Sequence, residues 1–125
     1  FAAMGSVAGW LEALDMLQAL EPETIVPGHG PLCGPEVIDE VADYLRFVQE
    51  TARKGREAGL TPLQTAQQTD LGRFSDWLDQ ERLVANLHRA YSELRGEPRG
   101  APLPLANVIQ DMVAYNGGQV PRCLA

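Results

Sequence analysis

Apolar residues recur at helical spacing from the start of the chain. Val7, Trp10, Leu11, Leu14, Leu17 and Leu20 fall on one face, with Glu12, Asp15 and Gln18 opposite. Ser6 stands where an N-cap is needed and Glu21-Pro22 stops the pattern, so the spacing predicts a helix over 7–20. Thr24-Ile25-Val26 then leaves the helical period and reads as a short buried strand, ended by Pro27. Helix, tight connection and strand make half of an α/β unit. One strand cannot stand alone, so its neighbours are expected from residues outside this chain or from another subunit. Without them, helix 7–20 and the strand should leave apolar surface uncovered.

Past the glycine-rich turn the pattern is helical almost to the end. Pro35 opens a stretch with Val37, Val41, Tyr44, Leu45, Val48 and Ala52 on one face, which predicts a helix over 36–58 with Gly59 as its C-cap. Thr61-Pro62-Leu63-Gln64 combines a capping box with proline in the first turn, and a short helix to about Thr69 follows. Asp79 is placed to cap a helix over 80–95, whose stripe is Leu83, Leu87, Tyr91 and Leu94 and whose terminator is Gly96. Residues 96–104 read as a Gly/Pro-rich loop. A last helix over Leu105–Tyr115 ends at Asn116-Gly117-Gly118, leaving the tail QVPRCLA. No internal repeat or low-complexity segment interrupts this order.

Composition narrows the function classes. A chain of 125 residues, 45% hydrophobic and 22% charged, has the size and make-up of one globular domain. A formal net charge of −7 argues against a phosphate-binding face, so no nucleic-acid partner is expected. The densest basic stretch, Arg53-Lys54-Gly55-Arg56, is flanked by Glu50 and Glu57 and reads as a solvated helix side. No apolar run approaches bilayer length and the N-terminus lacks a basic n-region, so neither a membrane span nor a signal peptide is expected. Cys33 and Cys123 are too far apart for a metal-ligand pair by spacing and too few for a disulfide framework, which makes a reducing cytoplasm the expected location. The start at Phe1-Ala2-Ala3, with no initiating methionine, suggests a fragment.

The chemistry concentrates in IVPGHGPLCG, residues 25–34. Glycines on both sides of His29 let the backbone turn sharply and approach another group closely, while Pro27 and Pro31 stiffen entry and exit. An imidazole fixed at a strand end suits metal ligation. The plainer reading is a strand-to-helix turn in which His29 is a solvent-exposed passenger.

A helix, then P-x-x-I-V-P-G-H-G-P, then a long helix resembles the C-terminal half of metallo-β-lactamase-fold hydrolases, as does ERLVANLHRAYSELRG further on. The resemblance spans essentially the whole chain. It implies an α/β architecture, the C-terminal part of an αββα fold, with helix, strand and metal-ligand loop in 1–34 and a helical region in 35–125. In that family the histidine of this loop is the last ligand of a two-metal site, and the resemblance implies that His29 occupies it, with zinc as the expected metal. The family's His-x-His-x-Asp-His motif, second histidine site and bridging aspartate do not occur here and would lie upstream of Phe1. The chain therefore resembles a truncated enzyme, inactive by itself. The stretches GSVAGWLEALDMLQALEP, PGHGPLCGPEVID and MVAYNGGQVPRCLA are similar to the actinobacterial subgroup of aromatic-polyketide cyclases and thioesterases. That likeness implies a small-molecule thioester or polyketide-like substrate whose carbonyl the metal centre polarises. The alternative is a non-catalytic helical interaction or dimerisation module, with the His29 loop as a plain connection. Homo-oligomerisation is left open.

Other candidates have plainer roles. His88 borders a core stripe and reads as structural; Cys33 reads as a small buried hydrophobe at a helix start, with approach to a metal as its functional alternative. Trp77 and Tyr91 read as core or cleft-wall aromatics. Asp70, Asp76 and Asp79 are accounted for by capping and solvation. Tyr115 and Asn116 end a helix, and only the resemblance gives them a place along a substrate cleft.

Overall fold

The computed structural model describes residues 1–121. Five α-helices make up the described chain: α1 (Val7–Gln18), α2 (Glu36–Glu57), α3 (Pro62–Gln68), α4 (Arg82–Leu94) and α5 (Leu105–Tyr115), with a single 3₁₀ turn at Gly72–Phe74. The tail residue Cys123 lies outside the described residues.

The helix boundaries follow local chemistry. Ser6 caps α1, its Oγ accepting from the Gly9 amide at 2.9 Å. Thr61 and Gln64 form the reciprocal capping box of α3, at 3.2 and 2.9 Å. The C-termini of α2, α4 and α5 each close on a left-handed glycine. After α2, Leu60 N–H donates to the Gly55 carbonyl and Gly59 N–H to that of Arg56, at 2.9 and 3.0 Å, while Gly59 sits at φ +72°. Gly96 does the same for α4, and Gly117-Gly118 for α5. Glycine is needed there because a Cβ disfavours that left-handed backbone.

Helix α4 organises the fold, packing against α1, α2, α3 and α5. Its apolar face places Leu83, Val84, Leu87 and Tyr91 in the core with Leu45, Val48 and Ala52 of α2 and Val108 and Met112 of α5. A second, polar stripe on α4 is turned inward as well, buried at Asn86 and Arg89 and half-buried at Glu93. Asn86, Arg89 and Glu93, three and four residues apart, share one side of the helix and gather the N-terminal residues. The Ala2 amide donates to Asn86 Oδ1 at 2.7 Å, and Arg89, 1% exposed, donates to the Ala3 and Ala101 carbonyls at 2.6 and 2.8 Å. The Glu93 carboxylate accepts from the Val7 and Ala8 amides, at 2.7 and 3.2 Å, so a side chain of α4 serves the first turn of α1. Where α2 crosses α3 and α4, the contact is close. Tyr91 Oη lies 2.7 Å from Thr65 Oγ1, and a Cβ on Gly55 would overlap both oxygens.

The α/β expectation is overturned. Among the described residues there is no strand and no sheet, and the αββα layering implied by the resemblance does not form. Residues 24–26 contribute one isolated antiparallel bridge, Ile25 to Cys33, with backbone bonds of 2.8 and 3.1 Å. The physical reason is the one that makes a single strand unstable. Its only partner is the far side of its own loop, so pairing stops after one residue pair and Val26 is 79% exposed instead of buried. The start of α4 also differs. The helix begins at Arg82, and Asp79, expected as its cap, takes a left-handed backbone (φ +55°) with its buried carboxylate 2.8 Å from the Arg82 guanidinium.

Candidate functional site

The Ile25–Cys33 bridge closes the base of the loop that carries His29. Gly30 adopts φ +95°, a backbone that only glycine takes without strain, and it is the residue that lets the chain reverse beside the histidine. At the foot of the loop Cys33 Sγ faces the Ile25 carbonyl at 3.8 Å, and the Gly34 amide donates to Glu36 Oε1 at 3.0 Å as α2 begins. The loop is thus tied at its base and open at its tip.

His29 is exposed at that tip and makes no hydrogen bond or ion pair among the described residues. No group of three or more His, Cys, Asp or Glu side chains is placed to hold a metal ion among the described residues. A catalytic zinc needs about three protein donors with an open position. This chain brings one imidazole to the place where the sequence put it, and its described residues do not by themselves make a metal centre.

The remaining candidates separate from His29. His88 Nε2 lies 2.8 Å from Asp111 Oδ2, a partly buried link between α4 and α5. Asp70 receives the Gly72 amide at 2.9 Å as a turn cap, and Asp76 is exposed. Tyr91 is core, bonded through its hydroxyl to Thr65 and to the Leu60 carbonyl. Asn116 ends α5 and donates to the Gln119 carbonyl at 3.3 Å. Burial pushes the neighbouring Tyr115 hydroxyl up from its ordinary pKa.

Trp77 belongs to a feature the sequence did not reveal. Tyr44 and Phe47 of α2 meet Phe74 and Trp77 of the 3₁₀ turn and its exit, with centroid separations of 5.1–5.3 Å among Tyr44, Phe74 and Trp77. Phe74 stands edge-on to both of the others, at 77° and 75°. Tyr44, Phe74 and Trp77, with Trp10 of α1 and Leu83 of α4, wall an apolar cavity of about 200 Å³. The Phe74 and Trp77 spacing of three was the available signal, but its partners come from a helix thirty residues away.

No protein-family model and no solved structure matches the chain. Among known proteins, the linear primary-alkylsulfatase of Pseudomonas sp. (strain ATCC 19151) is similar to it, at 25% identity over 126 aligned positions covering 88% of this chain. Those positions make up 24% of the alkylsulfatase, so the chain spans about a quarter of the length of the relative it matches. No helix among the described residues is long and apolar enough to cross a membrane.

Proposed function

We propose that this chain is a helical part of a metal-dependent hydrolase and that His29 supplies one ligand to a dinuclear zinc centre completed by donors beyond this chain. The observation that carries the reading is the likeness to an alkylsulfatase along 88% of the chain. The His29 loop supports it: a glycine-reversed tip, tied at its base, presents an imidazole that no described residue engages. A bound zinc would supply Lewis acidity and a hydroxide near neutral pH.

The substrate we propose is an ester with an apolar arm. The sequence resemblance favours a thioester or polyketide-like acyl group, and the relative's name favours an alkyl sulfate. Both are esters cleaved by water, the thioester to an acid and a thiol and the alkyl sulfate to an alcohol and sulfate. The test uses the full-length protein, with zinc content and turnover of dodecyl sulfate and of an aryl thioester measured before and after His29→Ala. The expected result is loss of bound zinc and of turnover on whichever ester the parent hydrolyses. Unchanged zinc stoichiometry and rate remove His29 from the site, and no turnover of either ester by the parent removes the hydrolase.

One observation favours a second reading, a helical interaction module. Met16, Leu17 and Leu20 at the end of α1 and Val26 and Leu32 in the loop are exposed, Leu20 by 75% and Met16 by 73%. Because a truncated hydrolase would leave the same surface open, light scattering on the full-length protein separates the two: a dimer that Leu20→Glu dissociates favours the module, and a monomer disfavours it.

A further inference from the structure

The cavity between α1, α2, the 3₁₀ turn and α4 has the properties of a small-molecule site. Its walls are overwhelmingly apolar, and its base is closed by Leu45 and Leu83, each 1% exposed. An apolar cavity of roughly 150 Å³ is enough to hold benzene, so about 200 Å³ admits one ring with a short substituent.

The aromatic walls select for rings. Tyr44, Phe74 and Trp77 present both edges and faces, because Phe74 lies nearly perpendicular to its two neighbours. A planar guest finds an edge-to-face partner on either side, which an alkyl chain does not.

One polar group in this wall is half used. Tyr44 Oη accepts from Asn86 Nδ2 at 3.1 Å, and Asn86 is itself fixed by the Ala2 amide on its Oδ1. The Tyr44 hydroxyl proton has no acceptor among the described residues. Burial raises the pKa of this hydroxyl above its ordinary value, against the smaller opposing effect of the Asn86 bond, so it stays protonated near neutral pH and remains a donor. The charged groups at the wall are Arg82 and Asp79, 2.8 Å apart and offsetting one another, and the partly buried Phe1 α-amino group, whose pKa burial and then the Arg82 charge push down; a site that disfavours its own ammonium suits an uncharged guest.

We propose that this cavity binds a neutral aromatic molecule of one ring bearing a hydrogen-bond acceptor that Tyr44 Oη–H engages. The site is independent of His29 and of the hydrolase reading.

The chain reports its own occupancy, since both of its tryptophans, Trp10 and Trp77, line the cavity. The experiment follows the two indole N–H signals by NMR while acetophenone, cumene or 1-decanol is titrated into the 125-residue chain. Acetophenone carries a carbonyl acceptor, and cumene has nearly the same shape without one. Acetophenone is expected to shift both signals saturably, with cumene weaker by about three- to tenfold, the range of one neutral hydrogen bond, and 1-decanol, whose hydroxyl can also accept, weaker because it offers no ring to the aromatic walls. Tyr44→Phe should equalise acetophenone and cumene without abolishing either. Val41→Phe, which fills the cavity from α2, should abolish both, with unchanged helical circular dichroism as the check on folding. Absence of a saturable shift with acetophenone overturns the site. Equal affinity for acetophenone and cumene in the unmodified chain overturns the role of Tyr44, and tighter binding of 1-decanol overturns the preference for rings.

Discussion

Replacing Arg89 with methionine tests whether the polar stripe of α4 holds the N-terminal residues in place. The guanidinium donates to two backbone carbonyls far apart in sequence, Ala3 (Nη2 at 2.6 Å, Nε at 3.2 Å) and Ala101 (2.8 Å). Methionine keeps most of the apolar stem and removes every donor. Ala3 is 0% exposed, so its carbonyl loses its partner with no water to replace it, at a cost of about 1–3 kcal/mol. Ala101 is only partly buried and regains water, adding on the order of 1 kcal/mol. The sum, about 2–4 kcal/mol, is a large fraction of the stability usual for a domain of this size. Arg89→Lys should fall between, because one ammonium on a flexible stem does not span two carbonyls as a planar fork does. Urea unfolding followed by circular dichroism gives the totals, and amide hydrogen exchange locates them, with protection expected to drop first at Val7 and Ala8. A loss under about 0.5 kcal/mol for Arg89→Met, within the range of an ordinary surface substitution, refutes the reasoning.

Gly55→Ala should destabilise by roughly 1–3 kcal/mol, the usual cost of overpacking, because the new methyl meets Thr65 Oγ1 and Tyr91 Oη, which hydrogen-bond each other and cannot both retreat. A combined Gly55→Ala, Thr65→Ala variant should recover part of the loss in the same unfolding assay, and no recovery places the strain elsewhere. The Arg53 guanidinium beside Glu50, bonded at 2.7 and 2.9 Å, holds that carboxyl down at about 2, with Lys54 adding to it. A depressed carboxylate stabilises the folded chain above its unfolded pKa, and that contribution is lost as pH falls from the ordinary range near 4.5 through about 2. Carboxyl-carbon NMR should find this low midpoint and Arg53→Gln should raise it; a midpoint in the ordinary range in the unmodified chain rejects the pairing.

What was legible in the sequence is what is local. Ser6, the Thr61–Gln64 box, Gly59, Gly96 and Gly117 each act within one turn of their own helix, so residue type and spacing were enough to place four helix ends and the whole of α5. The strand failed because pairing depends on a neighbour that local pattern does not supply. Thr24-Ile25-Val26 has strand chemistry and ends up with one bridge. Asp79 did not become the cap because its backbone turns left-handed and its buried carboxylate meets Arg82, a contact that residue type at one position does not announce. The inward stripe Asn86, Arg89 and Glu93 was readable as a period, three then four, but polar residues at that spacing look like a solvated face until the carbonyls and amides they serve are known. The His29 loop is marked in the sequence by its glycines and prolines, whereas the ring-walled cavity assembles from four separate segments and leaves no linear trace.

The service of α1 by α4 fixes an order of events during synthesis. The groups that receive Ala2, Ala3 and Val7 lie 84 to 86 residues further along the chain. At ribosomal rates of about 5–20 residues per second, roughly 4–17 seconds separate the emergence of the first residues from that of their partners. Through that interval α1 has its Ser6 cap but neither the Glu93 carboxylate at its first amides nor the core that receives Val7 and Leu14. Its apolar face is then open to solvent and to the segment-binding chaperones that wait at the exit tunnel. Residues 2–8 therefore stay unanchored until α4 has been made, whatever lies on either side of them in the chain.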